Sequence, residues 1–120
     1  AMGFRKMVES TPETHDQIIA YTSQLAHIVS SAYIKSPTML REEGYSAGSF
    51  RDLTRVARLD EKMWTDLFLR NADYLVDEID EIIKHLVEYK DVLVDHDAEK
   101  LEILLKDGRV KKEWSNDHVQ

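Results

Sequence analysis

The sequence predicts an all-α domain. Three observations carry that expectation: a hydroxyl-and-proline helix start at Ser10-Thr11-Pro12-Glu13, an apolar repeat stepping by four and three from Leu75 to Leu93, and only one short stretch, Phe4 to Glu9, with even weak two-residue alternation. A lone strand has no partner for its backbone groups, so residues 1–9 read as a piece of some other unit.

The first helix is expected from Pro12 to about Lys35. Ser10 supplies the cap, the missing N–H of Pro12 is harmless at the first turn, and Glu13 stands three residues after Ser10. Ser36-Pro37 ends it, and the stretch to Gly48 reads as a loop with a helical turn near Thr38 to Glu43. Ser49 with Asp52 starts a short helix that runs to about Leu59, and Asp60 caps a third carrying Met63, Trp64, Leu67 and Phe68 on one face. Leu75, Ile79, Ile82, Leu86, Tyr89 and Leu93 then form nearly three heptads of packing seam. Ala98 to Leu105 makes a final helix, stopped by Gly108, and residues 111–120 are expected to fray.

The chain of 120 residues is 42% hydrophobic and 32% charged, which places it among globular domains and not disordered chains. Its formal charge of -7 opposes binding to a phosphate backbone, since the single arginine cluster is too short to line a nucleic-acid groove. The uncharged run from Gln17 to Ile34 approaches the length of a membrane span, but Thr22, Ser23, Gln24, His27, Ser30 and Ser31 make it too polar. With no cysteine, no hydrophobic leader and no membrane segment, the expected location is the cytoplasm.

Two segments hold the candidate chemistry. The first lies on helix one, which carries no Lys, Arg, Asp or Glu between Gln17 and Ile34 and is expected to be buried all round. On a regular helical wheel Ile18, Leu25, Val29 and Ala32 form a core stripe, with Asp16, Ser23 and His27 on the opposite side. His27 can donate to or accept from a ligand near neutral pH, or simply bond a backbone carbonyl. His15-Asp16 has no further ligand at metal spacing, so no metal is expected. In the second segment Arg51, Arg55 and Arg58 share one helical face, and guanidinium forks crowded together suit a carboxylate ligand as well as they suit solvent.

Taken together, His15-Asp16-Gln17, Ser23-Gln24-Leu25-Ala26-His27, Gly48-Ser49-Phe50-Arg51-Asp52-Leu53-Thr54-Arg55-Val56-Ala57 and Met63-Trp64 through Asn71 resemble the C-terminal helical domain of prephenate dehydrogenases. The Phe-Arg-Asp-x-Thr-Arg run is the most specific part. The resemblance implies a fold like the 6-phosphogluconate dehydrogenase C-terminal domain, paired as an interlocked homodimer. Residues 1–9 would then be the remnant of a preceding dinucleotide-binding domain, with the helical domain at 10–110. It also implies that NAD, or NADP, is held mainly by that other domain, which would carry the catalytic histidine as well; no catalytic residue is expected in this chain. None of the four glycines forms a G-x-G-x-x-G loop.

By the same resemblance Arg55, His27 and Gly48 bind the substrate, prephenate, or the product 4-hydroxyphenylpyruvate. Asp16, Arg51, Asp52, Gln24 and Trp64 support the site or its entrance. Gln24 stands where the family often has a histidine, so that position cannot titrate here. Two other classes are weighed against this one: a helical dimerisation or regulatory module without a ligand, which the heptad seam suits, and a helical chorismate mutase, which the confinement of the arginines to one short helix disfavours.

Overall fold

A computed structural model describes residues 11–41 and 48–118, and every element among them is helical. In chain order these are α1 (Pro12–Ile19), a π-turn (Ala20–Gln24), α2 (Leu25–Tyr33), a 3-10 turn (Pro37–Arg41), α3 (Gly48–Thr54), a second 3-10 turn (Arg55–Ala57), α4 (Glu61–Arg70), α5 (Ala72–Val94) and α6 (Ala98–His118). The chain divides into two compact units, Ala1–Ile79 and Asp80–Gln120. The strand expected at residues 1–9 lies outside the described residues, as does the loop at 42–47. No described helix is long and apolar enough to cross a membrane.

In the first unit α1 opens at Pro12, as expected, but on a different cap. Thr11, not Ser10, is the cap: its Oγ1 accepts from the Thr14 N–H at 3.0 Å, in extended backbone at φ -76° and ψ 161°. The first helix is not regular along its length. At Ala20–Gln24 it widens into a π-turn, with the Leu25 N–H bonded to the Ala20 carbonyl. One extra residue in a turn rotates everything beyond it by about 100°. Asp16 therefore leaves the stripe that a regular wheel shares with His27.

Helix one is also not buried all round by this chain. Ala20, Gln24, Leu25 and Ser30 are buried, whereas Ile18 and Tyr21 are 50% and 62% exposed. The covered side is the one that faces α3 and the Arg55–Ala57 turn, both of which pack on α2. Ser30 is completely buried there, and a small residue is what lets that turn come close. Tyr33 and Phe50, with ring centroids 6.2 Å apart, join the end of α2 to α3.

The helix expected to reach Leu59 ends as α at Thr54. A single 3-10 turn follows, and Arg58 is extended at φ -88° and ψ 105°. The three-arginine face of the sequence reading thus shrinks to Arg51 and Arg55, because the α-helical spacing that aligned Arg58 is lost. Asp60 caps α4 as expected, its Oδ1 accepting from the N–H groups of Lys62 at 3.1 Å and Met63 at 3.3 Å. Asn71 breaks the helix for one residue, and α5 begins at once.

Along α5, Leu75 and Val92 are buried and Ile79, Ile82 and Tyr89 are half-buried, but Leu86 and Leu93 remain 60% and 58% exposed. The heptad seam is real as a pattern, and only part of it finds a partner within each unit. In the second unit α5 closes with two nested hydrogen bonds, His96 N–H to Leu93 O and Asp97 N–H to Val92 O, and His96 takes the left-handed conformation at φ 54°. Asp97 then caps α6 by accepting from the Lys100 N–H at 3.0 Å. Tyr89 Oη donates to Leu104 O at 3.3 Å.

The expected stop at Gly108 does not occur, and the tail expected to fray continues as helix to His118. Glycine ends a helix by turning left-handed with a capping pattern behind it, and Gly108 has no positive φ. Two i,i+4 ion pairs bracket it, Lys111 to Asp107 at 3.0 Å and Arg109 to Glu113 at 2.9 Å. Since an added Cβ at Gly108 would meet only Tyr89 Oη at 4.0 Å, Gly108→Ala should stabilise the chain by about 0.5–1 kcal/mol in urea unfolding. No gain in the midpoint would mean that this stretch is not helical in solution.

His85 lies on α5 between two glutamates of its own helix. It is exposed, yet its two ring nitrogens lie 3.0 Å from Glu88 Oε1 and 3.1 Å from Glu81 Oε2. The hydrogen bond to Glu88, then the charges of Glu88 and Glu81, raise its pKa above the ordinary 6.5. A raised folded value makes the clamp stabilising in full below the unfolded pKa and lost as pH rises through the folded one. An NMR titration should find His85 titrating above 6.5 and returning toward that value in Glu88→Gln. An unchanged midpoint in that variant would remove the clamp.

Candidate functional site

His27 sits on the first turn of α2, half-buried, with Nδ1 2.8 Å from the Ser23 carbonyl. A carbonyl only accepts, so Nδ1 donates to it and Nε2 is left for a ligand. The ring lies flat against Trp64 of α4, with centroids 4.2 Å apart and planes 25° from parallel. Trp64 is in turn braced by Phe68, one helical turn on, at 5.4 Å. These rings, with Leu59, Lys35 and Glu61, line a cleft of about 250 Å³. An aromatic wall, an imidazole and one charge of each sign make a surface suited to a small polar aromatic molecule.

A second group forms at the start of α5. Asn71 Nδ2 donates to the Asp16 carbonyl at 2.9 Å and to Gln24 Oε1 at 2.8 Å, and Gln24 Nε2 donates to the Leu67 carbonyl at 3.4 Å. Gln24 is only 5% exposed, and these contacts satisfy its amide at both ends. The Asp16 carboxylate is exposed and lies 3.7 Å from His15 Nδ1. Asp16, Arg70, Asn71, Asp73 and Tyr74 line a smaller polar cleft of about 190 Å³.

The third group is α3 with the turn that follows it. Arg51, Asp52 and Arg55 are exposed, and among the described residues none of the three forms an ion pair. Thr54 Oγ1 donates to Phe50 O at 2.8 Å and steadies the last turn of α3. Gly48 opens α3, and a Cβ there would meet nothing within 4 Å.

Of the residues singled out in the sequence, the fold brings His27 against Trp64 and joins Asp16 to Gln24 through Asn71. Arg51, Asp52 and Arg55 do not line the His27 cleft, although α2 packs directly on the Arg55–Ala57 turn. Sequence reasoning gave Asn71 no role beyond its place at the end of the segment that carries the family resemblance. It also gave no role to Lys35 and Glu61, whose place at the cleft follows from the packing of α2 and α4. Among the described residues no group of three or more His, Asp or Glu side chains could hold a metal ion.

Comparison with known proteins agrees with this layout. The family described as "Prephenate dehydrogenase, dimerization domain" matches residues 11–107. The chain is 33% identical over 102 residues to prephenate dehydrogenase of Bacillus subtilis (strain 168), covering 78% of this chain and 27% of that protein. It is 36% identical over 97 residues to cyclohexadienyl dehydrogenase of Zymomonas mobilis, covering 74% of this chain and 32% of that one. It therefore spans about a third of the length of the curated relatives it matches.

Among solved structures, prephenate dehydrogenase from A. aeolicus in complex with hydroxyphenyl propionate and NAD+ superposes with TM-score 0.74 at 31% identity, covering 86% of this chain and 38% of that chain. Synechocystis arogenate dehydrogenase shares the fold, with TM-score 0.77 at 24% identity over 86% of this chain and 40% of that one. With the family match running from the cap of α1 into α6 and taking in the His27, Asn71 and Arg55 groups alike, the chain belongs to the prephenate dehydrogenase family as its dimerisation domain.

Proposed function

We propose that this chain is the substrate-binding and dimerisation part of an NAD-dependent prephenate dehydrogenase of the cytoplasm. The observation that carries the proposal is the family match over residues 11–107, which embraces every candidate side chain in the described unit. The A. aeolicus relative, bound to a phenol that bears a carboxylate, supports a ligand of the same kind here.

The reaction converts prephenate and NAD+ to 4-hydroxyphenylpyruvate, carbon dioxide and NADH. The hydroxyl-bearing ring carbon of the substrate would give up a hydride, for which the cofactor would supply the acceptor, and the ring would become aromatic as its carboxylate leaves. The residues of this chain do not fit the cofactor themselves: the four glycines are scattered, and no strand stands among the described residues to build a dinucleotide fold. Cofactor binding and the proton-accepting base belong, in this reading, to the rest of the enzyme.

The work of this chain is recognition. Arg55, exposed and without an ion pair among the described residues, offers a planar fork to a substrate carboxylate. His27 offers Nε2 to a substrate hydroxyl, with Trp64 fixing the ring plane. Arg51, Asp52 and Asp16 supply a charged rim, and Gly48 keeps the approach to α3 open.

Dimerisation answers a separate observation. Val76, Leu86, Leu93, Ile103, Leu105 and Trp114 are each at least half exposed in the isolated chain. Covering such side chains yields roughly 1 kcal/mol or more apiece, and a second copy supplies the cover.

In the full-length enzyme Arg55→Ala should lower kcat/KM by about 10- to 100-fold, the loss of a charge-assisted pair of hydrogen bonds. The effect should fall mainly on KM, because the ground state carries the same carboxylate. An unchanged kcat/KM would reduce the chain to a dimerisation module. Native mass spectrometry of this chain should give a dimer at micromolar concentration, and a monomer would count against both roles.

A further inference from the structure

The π-turn of helix one is held by a single distant side chain. Asn71 has two amide hydrogens and spends both on helix one: one on the Asp16 carbonyl of α1, four residues before the π-turn, and one on Gln24 Oε1, the last residue of that turn. The partners are 55 and 47 residues away in sequence. Gln24 is buried, so losing its acceptor contact would leave an unpaired polar atom inside the protein. His27 follows three residues later, its Nδ1 bonded to the carbonyl of Ser23, a residue of the same π-turn.

We propose that Asn71 is a positioning residue: by tying α1 at Asp16 to the last residue of the π-turn it sets the angle at which His27 faces Trp64. A π-turn is a rare departure from the regular helix and persists only when its surroundings favour it. If the turn relaxes to α-helical pairing, the two halves of helix one rotate by about 100° relative to each other, and the Ser23 carbonyl that orients the imidazole goes with them. Asn71 touches no ligand in this account. It acts through Gln24 and Ser23 on the ring that does, so its importance for catalysis rests on the proposed role of His27, while its geometry does not.

The test is made by proton NMR on this chain without substrate, which separates it from the proposed activity. An imidazole stacked on an indole has its carbon-bound protons shifted upfield by the ring current. Two histidines are stacked in this way: His27 on Trp64, and His118 on Trp114 at 4.2 Å with planes 8° apart, in the other unit. Asn71→Asp keeps the size of the side chain and removes both donors. It should return the His27 protons to ordinary positions and leave the His118 protons where they are.

Gln24→Met removes the acceptor while filling the buried space, and should do the same. Val92→Ala, a destabilising change in the other unit, should move neither set. A His27 signal that stays upfield in a folded Asn71→Asp overturns the proposal, as does loss of the His27 shift in Val92→Ala. If Asn71→Asp does not fold, Gln24→Met decides in the same terms.

Discussion

A buried primary amide must have partners for both its ends, and Gln24 is such an amide in the middle of the longest uncharged stretch of the chain. Its oxygen is met by Asn71 and its nitrogen by the Leu67 carbonyl at the end of α4. Helix one, the α4 helix and the start of α5 are therefore tied at one polar point. The position of Trp64 against His27 depends on that tie, because Trp64 belongs to the helix whose last turn Gln24 grips. The π-turn, the cleft and the one-residue break at Asn71 are three consequences of satisfying one side chain.

The apolar side chains follow a different logic. The four hydrophobic residues buried among those described are Ala20, Leu25, Leu75 and Val92, and none is aromatic. A chain of this length ordinarily buries most of its large apolar groups. Here Leu86, Leu93 and Ile103 stay in the open although their spacing is that of a packing seam. A sequence that places leucines at regular intervals and leaves them uncovered is written for an assembly, which is the role named for the family to which it belongs. The Lys84–Glu81, Arg109–Glu113 and Lys111–Asp107 pairs along α5 and α6 are exposed and contribute little each to stability.

The arginine segment shows how local geometry revises a charge pattern. On an unbroken α-helix Arg51, Arg55 and Arg58 would repel one another on one stripe. Thr54 instead bonds back to Phe50, the chain tightens into one 3-10 turn, and Arg58 leaves in an extended conformation. Two guanidinium groups remain on the exposed face of a segment whose other side is packed on α2. That combination of rigid backing and free charge is what a carboxylate-binding surface needs.

The sequence by itself determined the helical class, the Asp60 cap and the break at Ser36-Pro37, because caps, prolines and apolar periodicity act within a few residues of where they stand. It misplaced what depends on distant neighbours. Thr11 and not Ser10 caps α1, Gly108 passes unnoticed inside α6, and the wheel that aligned Asp16 with His27 fails at the π-turn. Only the tertiary structure decided these points. A π-turn is invisible to periodicity, which assumes a constant rotation per residue, and Asn71 gains its meaning from two contacts that no local window contains. The pairing of His27 with Trp64 was likewise settled by packing, since nothing in the spacing of residues 27 and 64 says that their rings should meet.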